Sequence, residues 1–418
     1  MAAQLIGVAI VYFVFTQGLG WSSVLFLVVG LISMFIYSLY ANQEQILYQT
    51  KVGGLPPHLP DEQYPPGFRN PGNYNLDYEV VTLKTSDGET LNSWFIPAHI
   101  LVDGKLQAIS NMEKEPEAAE SDEEAIEVIT AGARRIGASQ ARRQAQGPIP
   151  TLLFLHENAG TINMRLPNLF MMAVALRCNV FIIDYRGYGL STGTPSEDGL
   201  IEDAHTALNH LLQRKDIDAS RIYLFGRSLG GAVALALATR KDLGDVPIKG
   251  LIVENTFTSI SDLVDKIFPF VKFLKPFILR LKWESIKRIS SLSHPICFLA
   301  GADDEMVPAH HMDTLYEKTP GDVVKCKFTV AGGNHNTTWL QGKEPYIAYF
   351  RQFLQYTGGM TTTKQDEAIV VSGVSIRASV KELERIDRPQ PKDAELDRYV
   401  VETLQAILSN YPTVSNPK

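Results

Sequence analysis

Residues 224–233 read LFGRSLGGAV and place Ser228 at the centre of a G-x-S-x-G pattern. Because Gly and Ser are common residues, this pattern alone often occurs by chance. The flanking sequence is more informative: Ile222–Phe225 is an apolar run typical of a buried strand, and the small residues from Gly231 onward favour a helix. A strand, a tight turn and a helix together expose a serine hydroxyl at a helix N-terminus. The sequence therefore predicts a nucleophile at Ser228.

Short apolar runs alternate with helical patterns along the chain on both sides of this turn. The runs are Pro150–Leu155, Asn179–Asp184, Ile222–Phe225, Ile248–Glu254, Pro295–Ala300 and Lys325–Val330. The helical patterns are Thr161–Leu176, Leu200–Arg214 and Ala232–Arg240. Fully apolar strands joined by crossover helices suit a sheet that is covered on both faces. We therefore predict an α/β fold with a doubly wound, mostly parallel sheet, opened by a hairpin of Tyr78–Lys84 and Thr90–Ile96.

A serine nucleophile needs a base and an acid, which in this chain order are an Asp and then a His. His335 lies in the loop after the last apolar run, and carboxylates follow the run before it. Both loops leave the carboxyl ends of strands, where sites in this architecture lie. Asp303, Asp304 and Glu305 are consecutive, so the acid is ambiguous; we choose Asp304, with Asp303 as the alternative.

The other histidines are expected to have no part in the chemistry. His205, His210, His310 and His311 fall on helical patterns and are expected to face solvent. His156 follows the first apolar run of the sheet and is expected to have a structural hydrogen-bonding role.

Acyl transfer also requires backbone N–H groups that face the developing oxyanion. The residue after the nucleophile, Leu229, provides one of them. The loop after the strand Pro150–Leu155 provides the other, and we assign it to Asn158. The predicted oxyanion hole is therefore formed by Asn158 and Leu229.

The N-terminus carries no charged side chain from Gln4 to Tyr40. A helix of that whole length would measure roughly 55 Å, which exceeds the roughly 30 Å hydrocarbon core of a bilayer. Trp21–Tyr40 has a suitable length and aromatic residues at its ends, so we expect one span there. The preceding piece is either interfacial or a second short crossing, and the flanking charges do not fix the orientation.

Composition defines the remaining segments. Residues 1–40 are expected to be a membrane anchor, 41–75 a linker, 76–357 the α/β domain and 358–418 a tail containing a late helix, Ala394–Leu408. Within the domain we expect an acidic surface insertion at 101–147 and a helical cap at 255–293. Residues 113–127 are acidic at eight of fifteen positions, which disfavours a packed core.

The net charge of −7 and the absence of a basic block argue against a nucleic-acid partner. The three cysteines form no CxxC pair and are expected to be buried thiols. We expect no metal and no cofactor.

Several motifs together resemble the α/β-hydrolase domain-containing protein 13 family, the membrane-anchored, bud-emergence-type hydrolases. They are residues 43–48, 156–160, 184–189, 226–231, 253–257 and 334–336. The resemblance implies an α/β-hydrolase fold, catalytic positions at Ser228, Asp304 and His335, and a single-pass protein of endomembranes, the endoplasmic reticulum first among them. Glu157 departs from the family, which commonly has Gly there, and we expect its carboxylate to point away from the oxyanion.

These features predict a serine hydrolase that cleaves a carboxylic ester or an acyl-thioester, of a lipid or of an acylated protein. Aromatic and cationic residues alternate in the cap between Phe268 and Trp283 and suggest an apolar lid that rests on anionic headgroups. A small cap packed on the core explains the same pattern equally well. A peptidase of the same fold and a non-catalytic membrane scaffold are the alternative functions.

Overall fold

The computed structural model describes residues 21–51, 63–65, 67–102, 105–109, 149–240, 248–269, 272–359 and 402. Several predicted features lie outside these residues. They are the first twenty residues of the predicted anchor, residues 52–62 and 66 of the predicted linker, most of the acidic insertion, and the tail with its predicted helix, apart from residues 358, 359 and 402.

An eight-stranded sheet forms the centre of the protein, with the strand order β1-β2-β6-β5-β7-β8-β9-β10. Its strands are β1 (Glu79–Lys84), β2 (Thr90–Ile96), β5 (Thr151–Leu155), β6 (Asn179–Ile183), β7 (Ile222–Arg227), β8 (Gly250–Glu254), β9 (Ile296–Gly301) and β10 (Lys325–Val330). The pairs β1–β2 and β2–β6 are antiparallel, and every other pair in the sheet is parallel. The prediction of a mostly parallel α/β sheet is confirmed.

Helices cover both faces of this sheet. The α-helices in the described part of the chain are α1 (Trp21–Ala41), α2 (Gln43–Leu47), α3 (Leu166–Val174), α4 (Glu197–Gln213), α5 (Leu229–Ala238), α6 (Ile260–Ile267), α7 (Lys275–Ile278), α8 (Ser285–Ile289), α9 (His310–Lys318), α10 (Thr338–Gln341) and α11 (Lys343–Gly358). Helix α1 is the exception, because it packs against the cap helix α7. The crossover helices α3, α4 and α5 lie where the sequence predicts helical segments.

The apolar runs of the strands face two separate cores. In β5, Leu153 and Leu155 pack with α4 and α5 on one face of the sheet. Leu152 and Phe154 point to the opposite face and pack with α3 and α11. Alternate side chains of a strand point to opposite faces, so a run buried along its whole length requires helices on both sides.

The start of the predicted insertion is structured. His99–Val102 (β3) and Lys105–Ala108 (β4) form a separate antiparallel hairpin. Sequence patterning missed this hairpin because each strand has only four residues and β4 carries polar residues.

The described parts of the predicted linker lie against the domain. Helix α2 packs on the cap, and Gln49 forms a parallel bridge with Ala159. A Pro-rich composition predicts an extended segment, but it does not show whether that segment is docked on the domain.

Helix α1 coincides in position with the predicted membrane span. Its described side chains are largely apolar and exposed, including Phe26, Met34 and Phe35. Within the described ranges, no helix combines the length and the apolarity needed to cross a bilayer.

The cap between β8 and β9 consists of α6, α7 and α8, as its helical pattern predicts. Its aromatic residues fall into two groups. Trp283 is fully buried and donates its indole N–H to the Tyr48 hydroxyl at 3.1 Å, whereas Phe273 and Phe277 are 86% and 82% exposed. The cap therefore has one face packed on the core and exposed aromatic side chains on its outer surface.

Candidate active site

Ser228 occupies the sharp turn between β7 and α5, with φ of 52° and ψ of −119°. A left-handed backbone is costly for a residue with a side chain, and its presence in this turn signals stored strain. The neighbouring glycines make the turn sterically feasible. A Cβ on Gly226 would clash with the backbone of Gly230, and a Cβ on Gly230 would clash with the carbonyl of Leu155.

Three side chains that are far apart in the sequence form a hydrogen-bonded row at the carboxyl edge of the sheet. The His335 Nε2 lies 3.0 Å from the Ser228 Oγ, and the His335 Nδ1 lies 2.7 Å from the Asp304 Oδ2. All three residues are buried, each with at most 6% of its surface exposed. With Nδ1–H donating to the carboxylate, Nε2 is free to accept the serine proton.

Asp304 is held in place by the turn that follows β9. Its Oδ1 accepts hydrogen bonds from the backbone N–H of Met306 at 2.9 Å and of Val307 at 2.7 Å. This leaves Oδ2 for His335. Asp303 and Glu305 are exposed, and the structure places neither of them on the imidazole.

Asn255 connects the end of β8 to the histidine loop, a role that the sequence analysis missed. Its Nδ2 donates to the carbonyl of His335 at 3.1 Å and to the Thr338 hydroxyl at 3.0 Å, while its Oδ1 accepts from Gly301 N–H at 2.8 Å. Its φ is 47°, a region in which Asn is enriched. The available signal was an Asn directly after a strand within one of the family-like motifs.

The predicted oxyanion residues Asn158 and Leu229 both line the cavity at Ser228. Leu229 begins α5, so its N–H belongs to the first helical turn, which lacks intrahelical partners. The Asn158 carbonyl accepts from Gln49 N–H and from the Tyr188 hydroxyl, each at 2.8 Å. The Asn158 side chain donates to the Leu47 carbonyl at 3.0 Å. Residues of the predicted linker therefore hydrogen-bond to both the backbone and the side chain of Asn158.

The Glu157 carboxylate faces two guanidinium groups. Its Oε1 accepts from Arg165 and from Arg227, each at 3.1 Å. Burial would raise the pKa of this carboxyl, but the two guanidinium groups outweigh burial and lower it to about 2. Arg227 is also paired with the buried Glu254 at 3.0 Å. The Glu157 carboxylate is therefore part of a buried network of ion pairs with Arg165 and Arg227, next to the turn at Ser228.

His156 is fully buried next to Glu157, and its Nδ1 lies 2.7 Å from the Glu157 carbonyl oxygen. Burial, aided by the charge of Arg165, lowers its pKa to about 3. This imidazole is therefore neutral at physiological pH and supports the loop through a hydrogen bond.

The expectation that the helical histidines face solvent is wrong for His311 and only partly right for His210. The His210 ring is partly buried and stacks on Phe181 with ring centroids 5.3 Å apart. His311, expected to face solvent, is only 2% exposed and contacts the Thr258 hydroxyl at 2.8 Å. Helix α9 packs on the cap, and this burial is not apparent from its weak apolar periodicity.

A cavity of about 720 Å³ opens at Ser228 and His335. This volume lies within the roughly 300–1,000 Å³ common for small-molecule sites. Apolar side chains of the cap form much of its wall, among them Leu263, Val264 and Leu279. Within the described part of the chain, no group of His, Cys, Asp or Glu is arranged to hold a metal ion. The three cysteines are buried, as predicted.

The chain is similar to a known protein family and to several named proteins. Residues 174–293 match the family model described as "Serine aminopeptidase, S33". The chain is 37% identical over 338 residues to the α/β-hydrolase domain-containing protein WAV2 of Arabidopsis thaliana, covering 78% of this chain and 92% of WAV2. It is 35% identical over 260 residues to the protein bem46 of Schizosaccharomyces pombe, covering 60% of this chain and 71% of bem46.

A membrane protein of Saccharomyces cerevisiae, named only as uncharacterized, is 39% identical over 207 residues, covering 49% of this chain and 70% of that protein. Among solved structures, an α/β hydrolase from Vibrio vulnificus superposes with a TM-score of 0.50 at 18% identity, covering 78% of this chain and 93% of that chain. At that identity the superposition supports the fold alone.

Proposed function

Since the chain belongs to the α/β-hydrolase family that includes WAV2 and bem46, we propose that it is a membrane-anchored serine hydrolase of carboxylic esters or acyl-thioesters. The observation that carries this proposal is the row Ser228–His335–Asp304, with the imidazole within hydrogen-bond distance of both the hydroxyl and the carboxylate.

In the proposed reaction the Ser228 Oγ attacks the acyl carbon while His335 Nε2 takes its proton. Asp304 stabilises the resulting imidazolium and keeps its orientation. The N–H groups of Leu229 and Asn158 stabilise the oxyanion of the tetrahedral intermediate. His335 then gives the proton to the departing alcohol or thiol, and water releases the acyl group by the same sequence of steps.

The walls of the cavity favour an acyl group over a polar substrate. Its cap residues are predominantly apolar, and charged groups such as Lys275 and Glu305 are few among the lining residues. Burial of an acyl chain here would stabilise the complex by about 0.8 kcal/mol for each methylene removed from water.

Attachment to a membrane through residues 1–40, in an endomembrane such as the endoplasmic reticulum, is part of the same proposal. It is supported by the uncharged sequence Gln4–Tyr40, by the exposed apolar side chains of α1, and by the Saccharomyces cerevisiae relative, whose name describes it as a membrane protein. Substrates that partition into bilayers, such as lipid esters or palmitoylated proteins, suit an enzyme held at that surface.

A peptidase is the second candidate, because the matching family model is described as a serine aminopeptidase. An aminopeptidase must hold a free ammonium group, which requires acceptors with negative charge near the scissile bond. Glu305 is the acidic side chain among the described residues that line the cavity, and it is exposed. The apolar lining therefore favours the esterase assignment.

The test is active-site labelling with a fluorophosphonate, together with hydrolysis of p-nitrophenyl butyrate by the full-length protein. Wild-type protein is expected to be labelled and active, and both signals are expected to vanish in Ser228→Ala and His335→Ala. Labelling that persists in Ser228→Ala would mean a different nucleophile, and an unlabelled, inactive but folded wild type would favour a non-catalytic scaffold.

Comparative lipidomics of a Ser228→Ala strain would then identify the ester class that accumulates.

A further inference from the structure

We propose that helix α1 forms one wall of the acyl pocket, so that a long acyl chain resident in the bilayer reaches Ser228 along this helix. The inference rests on the proposed function and extends it by naming the substrate class. The anchor would then be a part of the binding site as well as a tether.

The cavity provides the first observation. Phe35 and Leu39 of α1 line the same cavity as Ser228 and His335. On this side the lining continues through Ile46 and Leu47 of α2. One apolar surface therefore extends from the N-terminal helix to the nucleophile.

The cap provides the facing wall. Ile260, Leu263, Val264 and Ile267 of α6 line the cavity, followed by Ile278 of α7. An acyl chain in this space would lie between two helical elements, with α1 on one side and the cap on the other. Neither element alone would enclose it.

The joint between the two walls is fixed by polar contacts around Gln43. Its side-chain amide donates to the Ile278 carbonyl at 2.5 Å and accepts from Arg280 N–H at 2.8 Å. Arg280 pairs with Glu44 at 2.6 Å and donates to the Tyr40 carbonyl at 3.0 Å. These contacts close the C-terminal end of α1 onto the cap, so the helix has a defined position relative to the pocket.

The part of α1 that lines the pocket is near the C-terminal end of the helix. Phe35 lies six residues before the end of the helix at Ala41, a distance of about 9 Å at 1.5 Å per residue. Phe273 and Phe277 of the neighbouring cap segment are exposed on the outside of the protein. Helix α1 contacts α7, which carries Phe277, and both helices line the cavity. An apolar helix and an exposed aromatic side chain beside the same cavity suit entry from lipid and disfavour entry from water.

The experiment measures chain-length selectivity of the full-length protein in lipid nanodiscs, with p-nitrophenyl butyrate and p-nitrophenyl palmitate as substrates. Leu39→Trp fills the pocket from the side of α1. Met34→Trp places the same residue on the same helix at a position that is 70% exposed and does not line the cavity, and it serves as the matched control.

Leu39→Trp is expected to lower kcat/KM for the palmitate ester by about tenfold or more and to leave the butyrate ester within about twofold, because only the long chain reaches α1. Met34→Trp is expected to resemble wild type with both esters. Equal losses on both esters in Leu39→Trp, or unchanged selectivity, would overturn the pocket-wall proposal while the wild type remains an active esterase. A wild type that is inactive on both esters and is not labelled at Ser228 would instead refute the proposed function.

Discussion

At the scale of single residues, Asp304 and Asp303 are neighbours in sequence with different environments. The Asp304 carboxylate is buried and lies between two backbone N–H donors and His335, whereas Asp303 is exposed. A carboxylate that holds an imidazole in the correct tautomer contributes strongly to serine catalysis.

We predict that Asp304→Asn lowers kcat/KM for p-nitrophenyl butyrate by about a thousandfold or more, because the amide favours the wrong imidazole tautomer. Asp303→Asn is the matched control and is expected to stay within about threefold of wild type. A large loss in Asp303→Asn with little effect of Asp304→Asn would reverse the assignment of the acid.

His311 makes stability depend on pH. Burial, with help from His310, lowers the pKa of His311 from the ordinary 6.5 to about 4. As pH falls below 6.5 the unfolded chain takes up a proton that the folded protein does not, so His311 contributes stability that is present above pH 6.5 and lost towards pH 4. This loss reaches about 2 kcal/mol at pH 5.

Between pH 7.5 and pH 5 the unfolding free energy of wild type should fall by about 2 kcal/mol because of His311. We therefore predict that this part of the decrease is absent in His311→Gln. Urea unfolding at the two pH values provides the measurement. The comparison concerns the change with pH, so a uniform destabilisation of the variant does not affect it. Identical pH dependence in both proteins would rule out this role of His311.

At the scale of elements, the loop 156–160 after β5 and the segment after the N-terminal helix form one unit. Gln49 donates its N–H to the Asn158 carbonyl at 2.8 Å and accepts from Gly160 N–H at 3.1 Å. These backbone bonds hold the loop that carries the predicted Asn158 donor.

We predict that Gln49→Pro, which removes the first of these bonds, lowers kcat for p-nitrophenyl butyrate by about tenfold. Gln49→Ala keeps both backbone bonds and is expected to remain within about twofold of wild type. Thermal unfolding of both variants separates a loosened loop from a misfolded domain. Equal activities in the two variants would mean that the bridge does not position the loop.

At the scale of the whole molecule, helix α1 contacts α7, the cap helix that carries the exposed Phe277, and both helices line the cavity. This arrangement predicts how the molecule lies on a bilayer. The three native cysteines are buried, so a single introduced cysteine can be labelled selectively.

We predict that an environment-sensitive fluorophore at Phe277→Cys is quenched by spin-labelled lipid in vesicles that carry the full-length protein. Val80→Cys on the edge strand β1 is 60% exposed and serves as the control, with little quenching expected. Equal quenching at the two positions would contradict the proposed orientation of the cap.

The sequence by itself determined the α/β architecture and the sharp turn at Ser228, because both depend on local patterns: apolar runs, helical spacing and glycines whose missing side chains allow a sharp turn. It also identified His335 and narrowed the acid to adjacent carboxylates, and their catalytic roles stay a prediction. Only the tertiary structure decided which carboxylate meets the imidazole and that Asn255 hydrogen-bonds to the histidine loop. It also decided that several residues of the segment 35–49 line the cavity or hydrogen-bond to the loop 156–160. Those contacts join residues distant in sequence, such as Gln43 and Ile278, and such pairings leave no periodic signal in a single chain.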